Sequence, residues 1–207
     1  LSITAVAPLG AVGTEQVVVV TPGGTSSTSG TGNDYRYFDI PSVTSISPTS
    51  GPLTGGTVIT INGLNLDGAT KVTIGTTEVT TFASLTDTTL VFASPARAAG
   101  EAHITVTTPG GTSTATSADL FTYVSRATVT SLSRTTAPLS GATLTITGTN
   151  FTGATAVNFG LAAATTFTVD NDTTITATAP AGAKGTVDVT VTTSGGASSP
   201  SGTGNDF

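Results

Sequence analysis

The sequence predicts an all-β protein made of tandem antiparallel β-sandwiches, and three observations predict it. One pattern is written about two and a half times along the chain. Val43 has its counterpart 86 residues on at Val129, Tyr35 at Phe121 and Phe207, and the pair Gly23/Gly24 recurs as Gly110/Gly111 and Gly195/Gly196. A fixed period of this length means repeated modules rather than one large core. Within each copy, apolar and polar residues alternate over short runs bounded by Gly, Pro and Asn, with no helical period. Thr supplies 49 of 207 positions beside 25 Gly and 10 Pro, and only 9% of residues are charged, which suits β-branched strands between many turns.

Taken in order, residues 1–40 are the C-terminal half of a module, 41–125 a whole one, and 126–207 a third that lacks the end of its last strand. The opening LSITAVAPLGAVGTEQVVVVTPGGTS matches only the later part of the second copy, TTLVFASPARAAGEAHITVTTPGGTS, and of the third, TTITATAPAGAKGTVDVTVTTSGGAS. Between 186 and 192, Val187, Val189 and Val191 fall on one face, while Asp188, Thr190 and Thr192 fall on the other. That is the pattern of a sheet with one side on a core and one in water. The second copy places Ala102, Ile104 and Val106 inward in the same way. Ile59 and Ile61 correspond to Leu144 and Ile146, and Leu90 and Phe92 to Ile175 and Ala177, so both copies offer one inward set. Pro109-Gly-Gly-Thr112 and Asn62-Gly63 read as turns, because Gly takes positive φ cheaply. A repeat of about 85 residues lies within the size range of domains that fold alone.

At the level of motifs, the second copy carries Ile46-Ser-Pro-Thr-Ser-Gly-Pro-Leu-Thr-Gly-Gly-Thr57. There follow Gly63-Leu-Asn-Leu66, Val72 to Gly75, a turn at Pro95 and Phe121-Thr-Tyr123. The third repeats them through Ala137-Pro-Leu-Ser-Gly141, Gly148-Thr-Asn-Phe151, Val157 to Gly160 and Pro180. In this ordered set the chain resembles the IPT/TIG family of immunoglobulin-like domains, departing from it at Arg134, where the second copy has Pro48. The resemblance implies an immunoglobulin-like β-sandwich fold. It also implies a range of settings: stalks and adhesin modules of bacterial surface proteins, companions of starch-active catalytic domains, receptors, and some transcription factors. A fold with so many uses assigns none of them.

Charge and composition narrow that range. The net charge of −6 repels phosphate backbones, and the basic residues Arg36, Lys71, Arg97, Arg126, Arg134 and Lys184 are scattered, so nucleic acid is not an expected partner. Without Cys there is neither disulfide nor thiolate metal site. No apolar run exceeds four residues, as at Val17 to Val20, far short of a membrane span. Leu1 opens inside a strand pattern without the features of a signal peptide, which suggests a window on a longer chain.

The chemistry-bearing residues are few, and the expectation is a non-enzyme without cofactor. His103, the one histidine, falls on the outward side of its strand, and a general base there needs a partner. Asp170-Asn171-Asp172 has the spacing of a weak calcium candidate through Asp170 and Asp172, with an Asx-rich turn as the alternative; the second copy keeps one acid, Asp87. Asn150-Phe-Thr152 and Asn171-Asp-Thr173 fit the N-glycosylation pattern, and Asn150 also reads as a structural turn residue. Sugar binding normally uses aromatic platforms. With three Tyr and no Trp a carbohydrate partner is unsupported, and Tyr35 and Tyr37 align with the last-strand residues Phe121 and Tyr123.

The interface candidates are Val18, Val20, Ile3 and Tyr35. Where the whole copies place Thr105/Thr107 and Thr190/Thr192 outward, the half-repeat has Val18 and Val20, giving a strand apolar on both faces. A half sandwich leaves Ile3 and Tyr35 on an open core beside unpaired edges. It needs completion, either by residues before Leu1 or by another copy donating a strand, so the expected partners are neighbouring repeats or copies of the same chain. About five residues join successive copies, and Pro41 stiffens the first junction. Together these features point to an extracellular or cell-surface structural module, a stalk, filament or adhesin shaft. The alternative is an accessory carbohydrate- or protein-binding region of a larger secreted enzyme.

Overall fold

The computed structural model describes residues 2–182, 185–200 and 206–207. Its regular structure there is all β, apart from one short 3-10 turn at Ser117–Asp119. Backbone packing divides the chain into two compact units, residues 1–45 with 60–92 and 104–119, and residues 46–59 with 93–103 and 120–207.

The strands follow the alternation of the sequence. In the second copy, Ser42–Ser47, Val58–Leu64, Thr89–Ala93 and Ser84–Leu85 form one sheet in that spatial order. The long strand Gly100–Thr108 belongs to the other sheet. Its later half pairs antiparallel with Lys71–Ile74, and its earlier half with Leu120–Val124. The inward set is buried as the pattern requires: Ile59, Ile61, Leu90, Ile104 and Val106 are fully covered, with Phe92 and Ala102 nearly so.

In the second unit the third copy repeats the plan. Thr128–Leu132, Thr143–Thr149, Thr174–Thr178 and Thr166–Asn171 form one sheet, and Ala162–Ala163, Ala156–Phe159, Val189–Thr193 and Gly196–Ala197 the other. Leu144, Ile146, Phe151, Val157, Ile175 and Val191 share one apolar core. Val187 departs from expectation. It was assigned inward, yet it is 37% exposed, whereas its counterpart Ala102 is 4% exposed. The space over Val187 is an open groove, and pleat direction alone covers nothing.

Asn62-Gly63 is a second correction. Both residues lie inside the strand Val58–Leu64 rather than in a turn. Gly63 is there because a Cβ at this position would run into the Ser42 backbone carbonyl, and Gly148 stands in the same relation to Thr128. Close approach of a neighbouring strand, rather than positive φ, explains this glycine. Pro109-Gly110, in contrast, is the expected turn, joining Thr107–Thr108 to Gly111–Thr112 in register.

The half-repeat pairs as its counterparts do at the two ends of this stretch, where Gly13–Gln16 and Val20–Thr21 stand for the one strand Gly100–Thr108. Gly13–Gln16 pairs with Asp34–Tyr37 in the register Gly13↔Tyr37 to Gln16↔Asp34, matching Gly100↔Tyr123 to His103↔Leu120. Val20–Thr21 pairs with Gly24–Thr25 as Thr107–Thr108 pairs with Gly111–Thr112. A serine reinforces this bend in all three copies. Ser26 Oγ accepts from Val19 N–H, Ser113 Oγ from Val106 N–H and Ser198 Oγ from Val191 N–H, each at 3.0 Å.

Candidate functional site

The sequence pattern makes Val17 to Val20 a strand, but in the structure Val17 to Val19 are irregular and link the strands Gly13–Gln16 and Val20–Thr21, with one side of the link open. In the second copy the same stretch, Ile104 to Thr107, is paired along its length with Ile74 to Lys71. Among the described residues no strand takes that place beside Val17–Val19. Val17 N–H is bonded to Asn33 O at 2.7 Å and Val19 N–H to Ser26 Oγ, so by strand alternation the backbone groups of Val18 face the open side. Ile3 is 75% exposed, Val20 74%, Tyr35 46% and Val18 40%. The four interface candidates thus all lie on the surface of the half-repeat.

Its last strand is nonetheless internally ordered. Tyr35 and Tyr37 meet edge to face with ring centroids 5.1 Å apart, as Phe121 and Tyr123 do at 5.0 Å. Tyr37 donates its hydroxyl to the Pro8 carbonyl at 2.9 Å, and Tyr123 donates to the Pro95 carbonyl at the same distance. Burial pushes the Tyr123 phenol above its ordinary pKa, with the Ser94 hydroxyl and the Arg97 charge acting in the opposite direction. Its contribution to stability is therefore whole below about pH 10 and is lost as pH rises through the folded-state value. Tyr123→Phe is expected to cost about 1–2 kcal/mol by leaving the Pro95 carbonyl without its donor. The variant should also show a flatter alkaline limb when urea midpoints are compared between about pH 8 and 11.

The residues at the start of the second and third copies are fastened to those copies. Asn65 and Asn150 both take the left-handed conformation, at φ 57° and 58°. Asn65 donates its side-chain amide to Ile40 O at 3.3 Å, and Asn150 donates to Arg126 O at 3.0 Å. Gly110 lies against the Asp39 carbonyl and Gly195 against the Ser125 carbonyl, each too close to admit a side chain. At the first junction Arg36 also pairs with Asp67 at 3.4 Å and lies over the Phe38 ring. Sequence reasoning read Asn150 as a turn residue and missed this linker contact. The recurrence of an Asn and a Gly-Gly at matching positions of both copies was the available signal.

The acidic candidates are hydrogen-bonded to threonines. Asp172 accepts from the Thr152 hydroxyl at 2.8 Å and from Thr152 N–H at 3.2 Å, while Asp170 accepts from the Thr176 hydroxyl. Asn171 Oδ1 accepts from Thr173 in an Asx turn. The structure thus directs Asp170 and Asp172 to different threonines, and among the described residues no three His, Asp or Glu side chains converge as metal ligands would. The Thr152 hydroxyl, then its N–H, hold the Asp172 carboxyl below the usual carboxylate range. This stabilisation is present above that range and disappears as pH falls through the depressed value. Asp172→Asn should therefore lose less stability than the unmodified chain between about pH 5 and pH 2, read from urea midpoints. His103 is exposed between buried Ala102 and Ile104. Lys184 lies outside the described residues.

Comparison with known proteins agrees with this architecture. The family described as IPT/TIG domain matches residues 41–123 and 127–205. Plexin-A4 of Danio rerio is 48% identical over 40 residues, which are 19% of this chain and 2% of that protein. Among solved structures, the Plexin A4 full extracellular region shares 24% identity at a TM-score of 0.49, covering 76% of this chain and 15% of that one. SGBP-B from a complex xyloglucan utilization locus in Bacteroides uniformis shares 23% identity at a TM-score of 0.35, over 76% and 47% of the two chains. The chain thus spans less than half the length of each of these proteins.

Proposed function

Because the chain belongs to the IPT/TIG domain family, with two successive domains over residues 41–123 and 127–205, we propose that it is a non-enzymatic structural segment of an extracellular or cell-surface protein. In this reading its tandem modules act as a stalk, filament or adhesin shaft.

The observation that carries this reading is the repeated linker seat. A free linker of five residues would bend readily, but here the residue before each module is held by an asparagine amide and packed on a glycine of the module that follows. Each added module then brings its own restraint on the joint, and stiffness accumulates with copy number as a shaft requires. The low density of charge favours lateral contact in such an assembly, since little charge has to be desolvated.

The test is immuno-electron microscopy of the source cells with an antibody raised against residues 41–125. Label along surface projections supports the reading. Label confined to a soluble secreted particle that degrades polysaccharide overturns it, and places the segment beside a catalytic domain.

A further inference from the structure

The third copy holds two Asn-x-Thr tripeptides, Asn150-Phe-Thr152 and Asn171-Asp-Thr173, both within the second compact unit. A transferase that recognises this motif reads the asparagine and the hydroxyl two residues on, so it has to take in the residue between them as well. The fold treats the two tripeptides differently. In the first, Phe151 is fully buried in the core. Asn150 is half-buried at φ 58°, and its amide nitrogen donates to the Arg126 carbonyl at 3.0 Å and to the Thr149 hydroxyl at 3.4 Å. The hydroxyl is engaged too, since Thr152 donates it to the Asp172 carboxylate at 2.8 Å. Presenting this tripeptide means drawing Phe151 out of the core.

The second tripeptide is exposed at all three residues and forms the bend between the strands Thr166–Asn171 and Thr174–Thr178. Thr166–Asn171 is the edge strand of its sheet, so the bend can be approached from the open side. Asn171 Oδ1 accepts from the Thr173 N–H at 2.9 Å and from the Thr173 hydroxyl at 2.8 Å. Among the described residues nothing accepts from the Asn171 amide nitrogen. The flanking carboxylates are directed elsewhere, Asp170 to Thr176 and Asp172 to Thr152. One tripeptide thus has its reacting groups committed to the fold, and the other has them presented.

We propose that Asn171 is an acceptor site for an N-linked glycan and that Asn150, in the same motif, is not. The donor is an oligosaccharide carried on a polyisoprenyl pyrophosphate. In the transfer the Asn171 amide nitrogen attacks the anomeric carbon of the first sugar, and the new N–C bond replaces the C–O bond to the pyrophosphate. The pyrophosphate leaves with the electron pair, and one amide proton passes to a carboxylate of the transferase. An amide nitrogen is a poor nucleophile because its lone pair is shared with the carbonyl. The two donors from Thr173 fix Oδ1 and stabilise the negative charge that gathers there as the nitrogen loses its proton. Use of the site in the native chain rests on the extracellular placement proposed above, whereas acceptor competence rests on this geometry.

The test incubates the purified, folded chain with a single-subunit oligosaccharyltransferase and a polyisoprenyl-pyrophosphate oligosaccharide, and reads each site by peptide mass. Asn171 should be modified faster than Asn150 by on the order of tenfold or more, because Asn150 can react only while its part of the core is open. Thr173→Ala should abolish transfer to Asn171, and Thr173→Ser should retain part of it. A free peptide of residues 147–155, which has no core to hold Phe151, should accept the glycan at Asn150. Absence of transfer to Asn171 in the folded chain, or equal rates at the two asparagines, overturns the proposal. Failure of the free peptide overturns the part assigned to the fold in excluding Asn150. The assay is independent of where the native chain resides, so its failure is distinct from a failure of the extracellular placement, which the immuno-electron microscopy decides.

Discussion

Phe151→Ala is expected to cost the third copy about 3–5 kcal/mol and to lower its melting temperature by roughly 15 °C or more. Phe151 is fully buried in the core with Leu144, Ile146, Val157 and Ile175. Its ring also lies where a Cβ on Gly148 would be, so it seals the place where two strand backbones come closest. Removing it leaves a cavity with rigid walls, because the facing backbone is already in contact with the Thr128 carbonyl and has little room to collapse inward. Leu161→Ala serves as the control. That side chain is wholly exposed and its loss should lie within about 0.5 kcal/mol. Calorimetry of the two variants checks the pair. A Phe151→Ala loss no greater than that of Leu161→Ala would mean that this core does not hold the third copy together.

Gly55→Ala is expected to cost the second copy about 2–5 kcal/mol through two separable effects. Gly55 takes φ +71°, a conformation in which a Cβ is strained, and that Cβ would meet the Ser94 carbonyl and the Pro95 backbone. Gly56, next to it at φ +82°, has open space where its Cβ would be. Gly56→Ala should therefore show the conformational cost alone, about 1–2 kcal/mol. The difference between the two variants measures the steric part. The same contact recurs at Gly141 against Ala179, so Gly141→Ala should reproduce the larger loss in the third copy. Chemical denaturation of the three variants decides the matter. Equal losses for Gly55→Ala and Gly56→Ala would show that the turn yields at no steric cost.

Much of the fold was legible because a sandwich strand exposes its logic in one dimension. Alternation named Ile59, Ile61, Leu90, Phe92, Ile104, Val106, Leu144, Ile146 and Ile175 as inward, and the structure buries each of them. It failed at Asn62-Gly63, where a sequence habit of hairpins concealed a strand interior crowded by the Ser42 carbonyl. At Val187 the inward assignment took for granted a neighbour over the side chain, and the structure has a groove there. The linker seats were missed because their partners, Asn65 with Ile40 and Asn150 with Arg126, are far apart in sequence. Of the candidate surface, Val18 and Val20 were visible as an excess of Val over Thr. Which of their edges is open followed only from the pairing of their counterparts.

By itself the sequence determined the repeat, the strand faces, the turn at Pro109-Gly110 and the family resemblance, because each rests on local spacing or on comparison of one copy with another. Only the tertiary structure decided which glycines touch a neighbouring backbone, which proline carbonyl receives a tyrosine hydroxyl, and how Asp170 and Asp172 are used. These depend on distances between strands remote in sequence. A contact set by the approach of two backbones leaves no period in the residues that make it.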